Sequence, residues 1–276
     1  MLLDLPYSVL GSLQSIAEHE QVPVVCVIDS SDEIASFGDW VFGSGIYANG
    51  VGSEVATYAR ASLDITKVGV LVGKEEYLLA VTGGFEDAWP ELGGEIVARE
   101  EFIVGDHDFR TQLAKIIDAG AEAIWIGHLG EGGLAVKQAV ELGFDGYFLG
   151  SDTFSLAEVQ DTAGESLNTK AFFALWRNFD QLTPEQARFA GAYQEKYDEE
   201  PGDYLFYNVL GYDGTKMAAE ALRKSNLSPE SVQQELYNIQ DFPGLSGPIS
   251  IDETGINRDP KSAIVTYEDG EIVRAR

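Results

Sequence analysis

The chain has 276 residues, of which 45% are hydrophobic, and this is enough apolar material for one or two packed domains rather than a disordered segment. Acidic residues outnumber basic residues by 46 to 18, which gives a formal net charge of -28 at pH 7. A field of this sign repels nucleic-acid phosphates and anionic lipid surfaces, so it argues against nucleic-acid binding and against peripheral membrane binding.

Short runs rich in β-branched residues alternate with longer amphipathic segments over the first 150 residues. The predicted strands are residues 22–28, 68–72, 123–126 and 147–149. The predicted helices are residues 9–20, 53–63, 79–92, 109–119 and 134–142. Strands and helices that alternate at this short spacing predict parallel sheets covered by helices on both faces, which is an α/β fold.

The remainder of the chain changes to long helices followed by a β section. Helices are predicted at residues 184–197, 207–224 and 228–239. A strand is predicted at residues 247–252, and a hairpin joins residues 263–267 to residues 271–273. No linker rich in proline or serine divides the chain, so two lobes would have to share it by crossing over more than once.

Few residues in the chain suit catalysis or metal binding. Cys26 is the only cysteine and lies in an apolar run, so we expect a buried, inert thiol without a disulfide. The histidines His19, His107 and His128 do not stand at metal-ligand spacing, and the signatures of nucleophilic hydrolases and P-loop enzymes do not occur. The sequence therefore predicts no metal and no cofactor, and it favours a binding protein over an enzyme.

One stretch matches a dinucleotide-binding pattern. A strand at 123–126 is followed by G-x-G-x-x-A at 130–135, with Asp152 at roughly the distance of a ribose-binding acid. In that reading a pyrophosphate would lie at the helix N-terminus. Glu131, however, places a carboxylate where the phosphates would be. A tight turn at the strand end is the favoured interpretation, and an NAD-type oxidoreductase domain stays open as an alternative.

A binding site is expected beyond the carboxyl ends of the strands, as in other open α/β sheets. Hydroxyl groups and helix N-termini there suit a ligand carboxylate, whereas Asp152 suits an ammonium group and Tyr77 could pack on an aliphatic part. This combination predicts a small zwitterion. Ser30, Ser31 and Asp32 could equally well cap a helical turn.

In chain order, many segments resemble the leucine/isoleucine/valine-binding protein family, the type I periplasmic binding proteins of branched-chain amino acid ABC transporters. The segments that carry the resemblance are residues 16–23, 41–52, 67–71, 92–97, 105–113, 137–143, 148–152, 163–165, 189–197, 212–213 and 245–255, together with Tyr77 and Phe85. The resemblance covers nearly the whole chain, and its order and spacing are more specific than any single segment.

The resemblance implies two doubly wound parallel-sheet lobes joined by three crossovers, near Tyr47, Trp176 and Arg258. Lobe 1 would comprise residues 1–47 and 176–258, and lobe 2 residues 48–175 and 259–276. The family begins with further strand–helix units, so we expect lobe 1 to be incomplete at its N-terminal side in this sequence.

The resemblance also implies the ligand-binding residues, which are Ser8, Asp29, Ser30, Tyr77, His128, Leu129 and Asp152. Ser8 lies near the family's carboxylate-binding serine, and Asp29 and Ser30 replace an Ala-Thr pair. Tyr77 matches a second-lobe tyrosine, and Asp152 matches the acid that holds the α-ammonium group. His128 and Leu129 occupy the stretch of a further tyrosine.

This sequence departs from the family pattern in two places. Asp29, Asp32 and Glu33 add negative charge where a ligand carboxylate would bind, and leucines follow Tyr77 where the family has glycines. These departures leave a cationic or less acidic solute open as the ligand.

The implied function is that of an extracytoplasmic solute-binding protein. It would deliver an amino acid or a similar small solute to an ABC permease by hinge closure. We expect it to act as a monomer, in the periplasm or outside the cell. A sensory receptor domain of the same fold stays open as a second alternative.

Overall fold

The computed structural model describes residues 2–3, 7–178, 180–202 and 205–276, with side chains from residue 11 onward. The chain forms two compact units. Unit 1 comprises Met1–Ala48 and Asn178–Lys261, and unit 2 comprises Asn49–Arg177 and Ser262–Arg276. The chain therefore passes between the units three times, after Ala48, after Arg177 and after Lys261.

In chain order the strands are β1 (Leu2–Leu3), β2 (Val24–Cys26), β3 (Asp29–Ser30), β4 (Val41–Gly43), β5 (Ile46–Tyr47), β6 (Lys67–Gly73), β7 (Glu95–Phe102), β8 (Ala123–Gly127), β9 (Tyr147–Gly150), β10 (Ala171–Trp176), β11 (Phe242–Gly244), β12 (Gly247–Ile249), β13 (Ser262–Glu268) and β14 (Glu271–Arg274). The α-helices are α1 (Tyr7–Glu20), α2 (Ala48–Ser62), α3 (Glu76–Glu91), α4 (Arg110–Asp118), α5 (Gly132–Glu141), α6 (Ala157–Ala163), α7 (Pro184–Tyr197), α8 (Leu205–Lys224) and α9 (Pro229–Tyr237). Short 3₁₀ turns lie at Asp32–Ser36, Asp152–Ser155 and Gly164–Leu167.

Unit 1 is built on the parallel sheet β1-β2-β4, with the short parallel pair β3–β5 and the antiparallel pair β11–β12 beside it. Side chains alternate between the two faces of a strand, and β2 and β4 are buried on both faces. Val24 and Cys26 belong to a cluster with Ala17 of α1, whereas Val25 belongs to a cluster with Met217 of α8. Helices therefore cover both faces of the sheet, as the sequence pattern predicts.

Unit 2 is built on a seven-stranded sheet in the order β14-β13-β10-β9-β8-β6-β7. The run from β10 to β7 is parallel, and β13 and β14 join it antiparallel as a hairpin. An aromatic stack lies in its core, where the ring of Phe85 lies 5.3 Å from that of Trp89 and 4.6 Å from that of Trp125. The predicted α/β class with a mostly parallel sheet is confirmed.

Several predicted elements need correction. Strand β7 escapes the sequence pattern because its half-exposed edge sequence, from Glu95 to Phe102, is rich in charge. Strands β10 and β11 were not predicted either. The predicted strand 22–28 is shorter, because the ladder of β2 ends at Cys26 and the chain then forms β3. Helix α2 begins at Ala48 rather than at residue 53, because glycines at its start hide the helical pattern.

The crossing of α2 and α3 in unit 2 gives a testable packing prediction. A Cβ atom on Gly84 would lie 1.9 Å from the Asn49 carbonyl oxygen, whereas a Cβ atom on the adjacent Gly83 would meet nothing within 4 Å. We expect Gly84→Ala to destabilise the protein by about 1–3 kcal/mol through overpacking. The control Gly83→Ala is expected to be neutral or to stabilise by up to about 1 kcal/mol through helix propensity. Urea unfolding followed by tryptophan fluorescence compares the two variants, and equal stabilities would contradict the close helix crossing.

Candidate functional site

Tyr77 and Asp152 are in direct contact in unit 2. The Tyr77 hydroxyl donates a hydrogen bond to Oδ1 of Asp152 at 2.7 Å, and both side chains are half-buried. The two residues are 75 positions apart in sequence. The fold therefore brings together the two second-lobe residues to which the resemblance gives ligand-binding roles.

The sheet topology explains this contact. Tyr77 lies in the first turn of α3, which follows β6, and Asp152 begins the 3₁₀ turn that follows β9. Strand β8 lies between β9 and β6 in the sheet, and these strands are parallel, so their carboxyl ends share one edge. Local hydrogen bonds stabilise the first turn of α3 and the 3₁₀ turn. The Glu75 side chain caps α3 by accepting from the Leu78 amide at 3.1 Å, and the Ser155 hydroxyl donates to the Asp152 carbonyl at 2.6 Å.

His128 and Leu129 follow β8, between the strands that carry Tyr77 and Asp152. The His128 ring is fully buried and makes an edge contact with Phe154 at 4.8 Å between ring centroids. Neither ring nitrogen has a hydrogen-bond partner among the described residues. Burial lowers the pKa of His128 to about 4, which the nearby Glu131 carboxylate opposes only partly. The side chain is therefore neutral at pH 7, while Leu129 is 40% exposed.

Glu131 occupies the turn that suggested a dinucleotide site. Its Oε1 accepts a hydrogen bond from the Gly105 amide at 2.6 Å, and its Oε2 accepts from the amides of Leu129 and Gly130, both at 3.1 Å. Burial opposes ionisation, but these amide hydrogen bonds hold the pKa of Glu131 below its usual value. The protein's own carboxylate thus uses the amides that a phosphate would need, and the dinucleotide alternative is not favoured.

The predicted site residues of unit 1 lie around β3. Asp29 pairs with Ile46 and Ser30 with Tyr47 in the parallel β3–β5 pair. The Ser30 hydroxyl donates to the Ile46 carbonyl at 3.2 Å. The hydroxyl of Ser31 accepts from the Glu33 amide at 3.2 Å and caps the 3₁₀ turn, so the capping alternative holds for Ser31. The side chain of Ser8 lies outside the described residues.

Cys26 precedes Asp29 by three residues and is buried, as predicted. The thiol is fully buried and lies 3.5 Å from Oδ1 of Asp29, to which it donates a hydrogen bond. Burial, together with the neighbouring Asp29 carboxylate, raises the pKa of Cys26 well above its usual value. The thiol therefore stays protonated at pH 7 and is a poor nucleophile.

Arg258 contacts Asp32 and Tyr47 in unit 1, and the sequence does not indicate these contacts. Its guanidinium pairs with the Asp32 carboxylate, donates to the Tyr47 hydroxyl at 2.8 Å and lies over the Tyr47 ring at 5.2 Å. The Tyr47 hydroxyl donates to the Asp32 carboxylate, whose oxygens lie 2.9 and 3.0 Å away. Asp32 and Arg258 are 226 positions apart, so no local pattern could have linked them.

A cavity of about 770 Å³ lies elsewhere in unit 1, between α7 and α8. Its walls include Phe189, Tyr193 and Tyr212, and none of the predicted site residues with described side chains lines it. In the described part of the chain, no group of three or more His, Cys, Asp or Glu side chains could hold a metal ion. Within the same residues, no helix has both the length and the apolar character that crossing a membrane requires.

The fold and these residues define an α/β protein whose candidate polar side chains gather at strand ends, which is typical of a solute-binding protein. The chain belongs to the periplasmic binding protein family, whose sequence profile matches residues 1–271. The predicted resemblance to the leucine/isoleucine/valine-binding proteins of branched-chain amino acid transporters is confirmed.

Curated relatives point to the same family. The chain is 25% identical to Leu/Ile/Val-binding protein homolog 3 of Brucella melitensis over 79% of its own length and 59% of the relative's length. It is 24% identical to the leucine-, isoleucine-, valine-, threonine- and alanine-binding protein of Pseudomonas aeruginosa, over 68% of this chain and 49% of that one. The chain thus spans about half to three-fifths of the length of these relatives.

Solved structures agree in fold. The leucine-binding protein LivK of Thermotoga maritima superposes with a TM-score of 0.82 and 26% identity, over 99% of this chain and 78% of that chain. The isoleucine complex of LivJ from Streptococcus pneumoniae gives a TM-score of 0.75 and 24% identity, over 99% and 76% of the two chains. At 24% identity, the similarity to LivJ shows a shared fold only.

Proposed function

We propose that this chain is the solute-binding component of an ABC transporter, that it binds a branched-chain or similar small α-amino acid, and that it performs no catalysis. The observation that carries the proposal is the Tyr77–Asp152 pair at the shared strand edge of unit 2. A half-buried carboxylate whose orientation is set by a tyrosine hydroxyl suits an ammonium group, because charge-assisted hydrogen bonds are strong and directional. The membership of the chain in the periplasmic binding protein family supports this assignment.

The proposal assigns a role to each candidate residue. Asp152 would hold the α-ammonium group and Tyr77 would pack against the aliphatic part of the ligand. The loop at Asp29–Ser30, with Ser8, would receive the α-carboxylate. Leu129 would contribute apolar surface, with the buried ring of His128 supporting the same wall.

The mechanism would be closure of two lobes around the solute. The lobes would be residues 1–47 with 176–258 and residues 48–175 with 259–276, and closure would exclude water and strengthen the attraction between Asp152 and the ammonium group. An ABC permease would then recognise the closed, monomeric protein in the periplasm or outside the cell. Ligand binding shifts such an equilibrium only through its higher affinity for the closed state.

Isothermal titration with L-leucine, L-isoleucine, L-valine and NAD⁺ tests the proposal. We expect saturable one-to-one binding of at least one of the amino acids and no binding of NAD⁺. Because the Glu131 carboxylate already uses the turn amides, NAD⁺ has no free amides there to bind its pyrophosphate. Binding of NAD⁺ without binding of any amino acid would contradict the proposal.

A further inference from the structure

Residues 29–33, which we call the β3 loop, carry three carboxylates. A ligand carboxylate would be repelled there unless a positively charged group lies close by. Asp29 and Asp32 flank two serines, and Glu33 follows in the 3₁₀ turn. Two carboxylates a few ångströms apart repel each other, and the repulsion grows as water is excluded. A ligand carboxylate at this loop therefore requires positive charge nearby.

Arg258 supplies that charge, and its own position is fixed from the opposite side. Its Nε donates to Oδ2 of Asp252 at 2.6 Å, and its Nη2 donates to the Thr254 hydroxyl at 3.1 Å. Asp252 is itself anchored, because its Oδ1 accepts hydrogen bonds from the Thr254 amide at 2.8 Å and from the Ile256 amide at 3.0 Å. The guanidinium is thus held between a carboxylate of its own turn and the carboxylate of the β3 loop.

The cluster of Asp32, Tyr47 and Arg258 lies near the two positions, Ala48 and Lys261, at which the chain leaves unit 1 for unit 2. Tyr47, which stacks under the guanidinium, pairs with Ser30 and precedes the last residue of the first segment, Ala48. Arg258 lies three residues before Lys261, where the second segment of unit 1 ends. The guanidinium therefore ties the β3 loop to two chain segments that connect the units.

We propose that Arg258 is a positioning and charge-compensating residue, which neutralises Asp32 and thereby lets the β3 loop accept the α-carboxylate of the ligand. This inference rests on the proposed function and deepens it, because it assigns the ligand class. The protein selects solutes that keep a free carboxylate, and the excess of acid in the loop does not turn the site toward cations.

Stability alone is a weak explanation for this cluster. The side chains of Arg258 and Asp32 are 41% and 52% exposed, and ion pairs at that exposure contribute little to folding because water and salt screen them. Removing the guanidinium is therefore expected to change charge selectivity more than the melting temperature.

The test compares Arg258→Gln, Asp32→Asn and the double variant with the wild type by titration with L-leucine and L-leucinamide. We expect Arg258→Gln to weaken L-leucine binding about tenfold or more, and L-leucinamide binding by less than about threefold, because closure around the ligand would exclude water from the loop and strengthen the repulsion between Asp32 and the ligand carboxylate. Adding Asp32→Asn is expected to restore L-leucine affinity to within about threefold of the wild type, because the uncompensated carboxylate is gone.

Arg223→Gln is the matched control. Arg223 pairs with Glu220 on α8 in the same unit, and its side chain is 73% exposed. This variant removes the same charge from unit 1 and is expected to leave both affinities unchanged. Thermal unfolding of every variant reports whether the fold is retained.

The outcomes separate the role of Arg258 from the proposed function. If Arg258→Gln weakens both ligands equally, or if Asp32→Asn does not restore L-leucine binding, the charge-compensating role is wrong while the proposed function stands. The L-leucine titration of the double variant is informative even if L-leucinamide binds too weakly to be measured. A wild-type protein that binds no amino acid would overturn both.

Discussion

Replacing Asp152 with Ala is expected to weaken binding of L-leucine at least about a hundredfold, because losing one partner of a buried charge pair costs about 2–5 kcal/mol. In the proposed closed state, which would exclude water, the variant would leave the α-ammonium group without its counter-charge. It also leaves the Tyr77 hydroxyl without the acceptor that it has at 2.7 Å. Isothermal titration measures the loss directly.

Two comparisons make this result specific to the ammonium group. Asp161→Ala removes the same charge from an exposed position of α6, and it is expected to leave the affinity unchanged. The desamino analogue 4-methylpentanoate lacks the ammonium group and leaves Asp152 without a counter-charge, so Asp152→Ala is expected to bind it at least as tightly as the wild type does. An unchanged affinity of Asp152→Ala for L-leucine, with the fold retained, would show that the assigned role is wrong.

The contact between Tyr77 and Asp152 could be anticipated from the sequence because it depends on a general property of parallel sheets. Both residues follow strands that the apolar pattern identifies, at 68–72 and 147–149, and carboxyl ends of parallel strands share an edge. The order β9-β8-β6 then places the two turns on either side of one strand. Glu131 was predicted to obstruct phosphate binding, and the structure adds the reason, which is three hydrogen bonds from backbone amides.

The parts that escaped prediction depend on contacts distant in sequence or on weak local patterns. Strand β7 consists mostly of exposed and half-exposed residues, and four of its eight side chains are charged, namely Glu95, Arg99, Glu100 and Glu101, so its sequence does not resemble a buried strand. The cluster of Asp32, Tyr47 and Arg258 joins three segments, and only the tertiary fold brings these together. The acid excess of the β3 loop was visible in the sequence, but its compensation was not.

The acid sensitivity of the fold is expected to depend on His128. Burial lowers the pKa of this imidazole to about 4, whereas an unfolded chain has a histidine pKa of about 6.5. The unfolded state therefore binds a proton first as the pH falls, so the stability that the neutral ring contributes is fully present above pH 6.5 and is lost toward pH 4. Relative to His128→Leu, the wild type is expected to lose about 2 kcal/mol of unfolding free energy between pH 7.5 and pH 5.

Urea unfolding of both proteins at the two pH values measures this difference, and pH 5 is the lower limit because the chain approaches its isoelectric point near 4.2. The many carboxylates titrate in both proteins and cancel in the comparison, so the remaining pH dependence belongs to position 128. His107→Leu is the control, because His107 is exposed on a loop of the same unit. If the stability difference between the wild type and His128→Leu does not change with pH, the buried ring is not the group that the unfolded chain protonates first. A pH-dependent stability difference from the wild type that occurs with His128→Leu and not with His107→Leu would identify the imidazole next to Phe154 as the acid-labile point of unit 2.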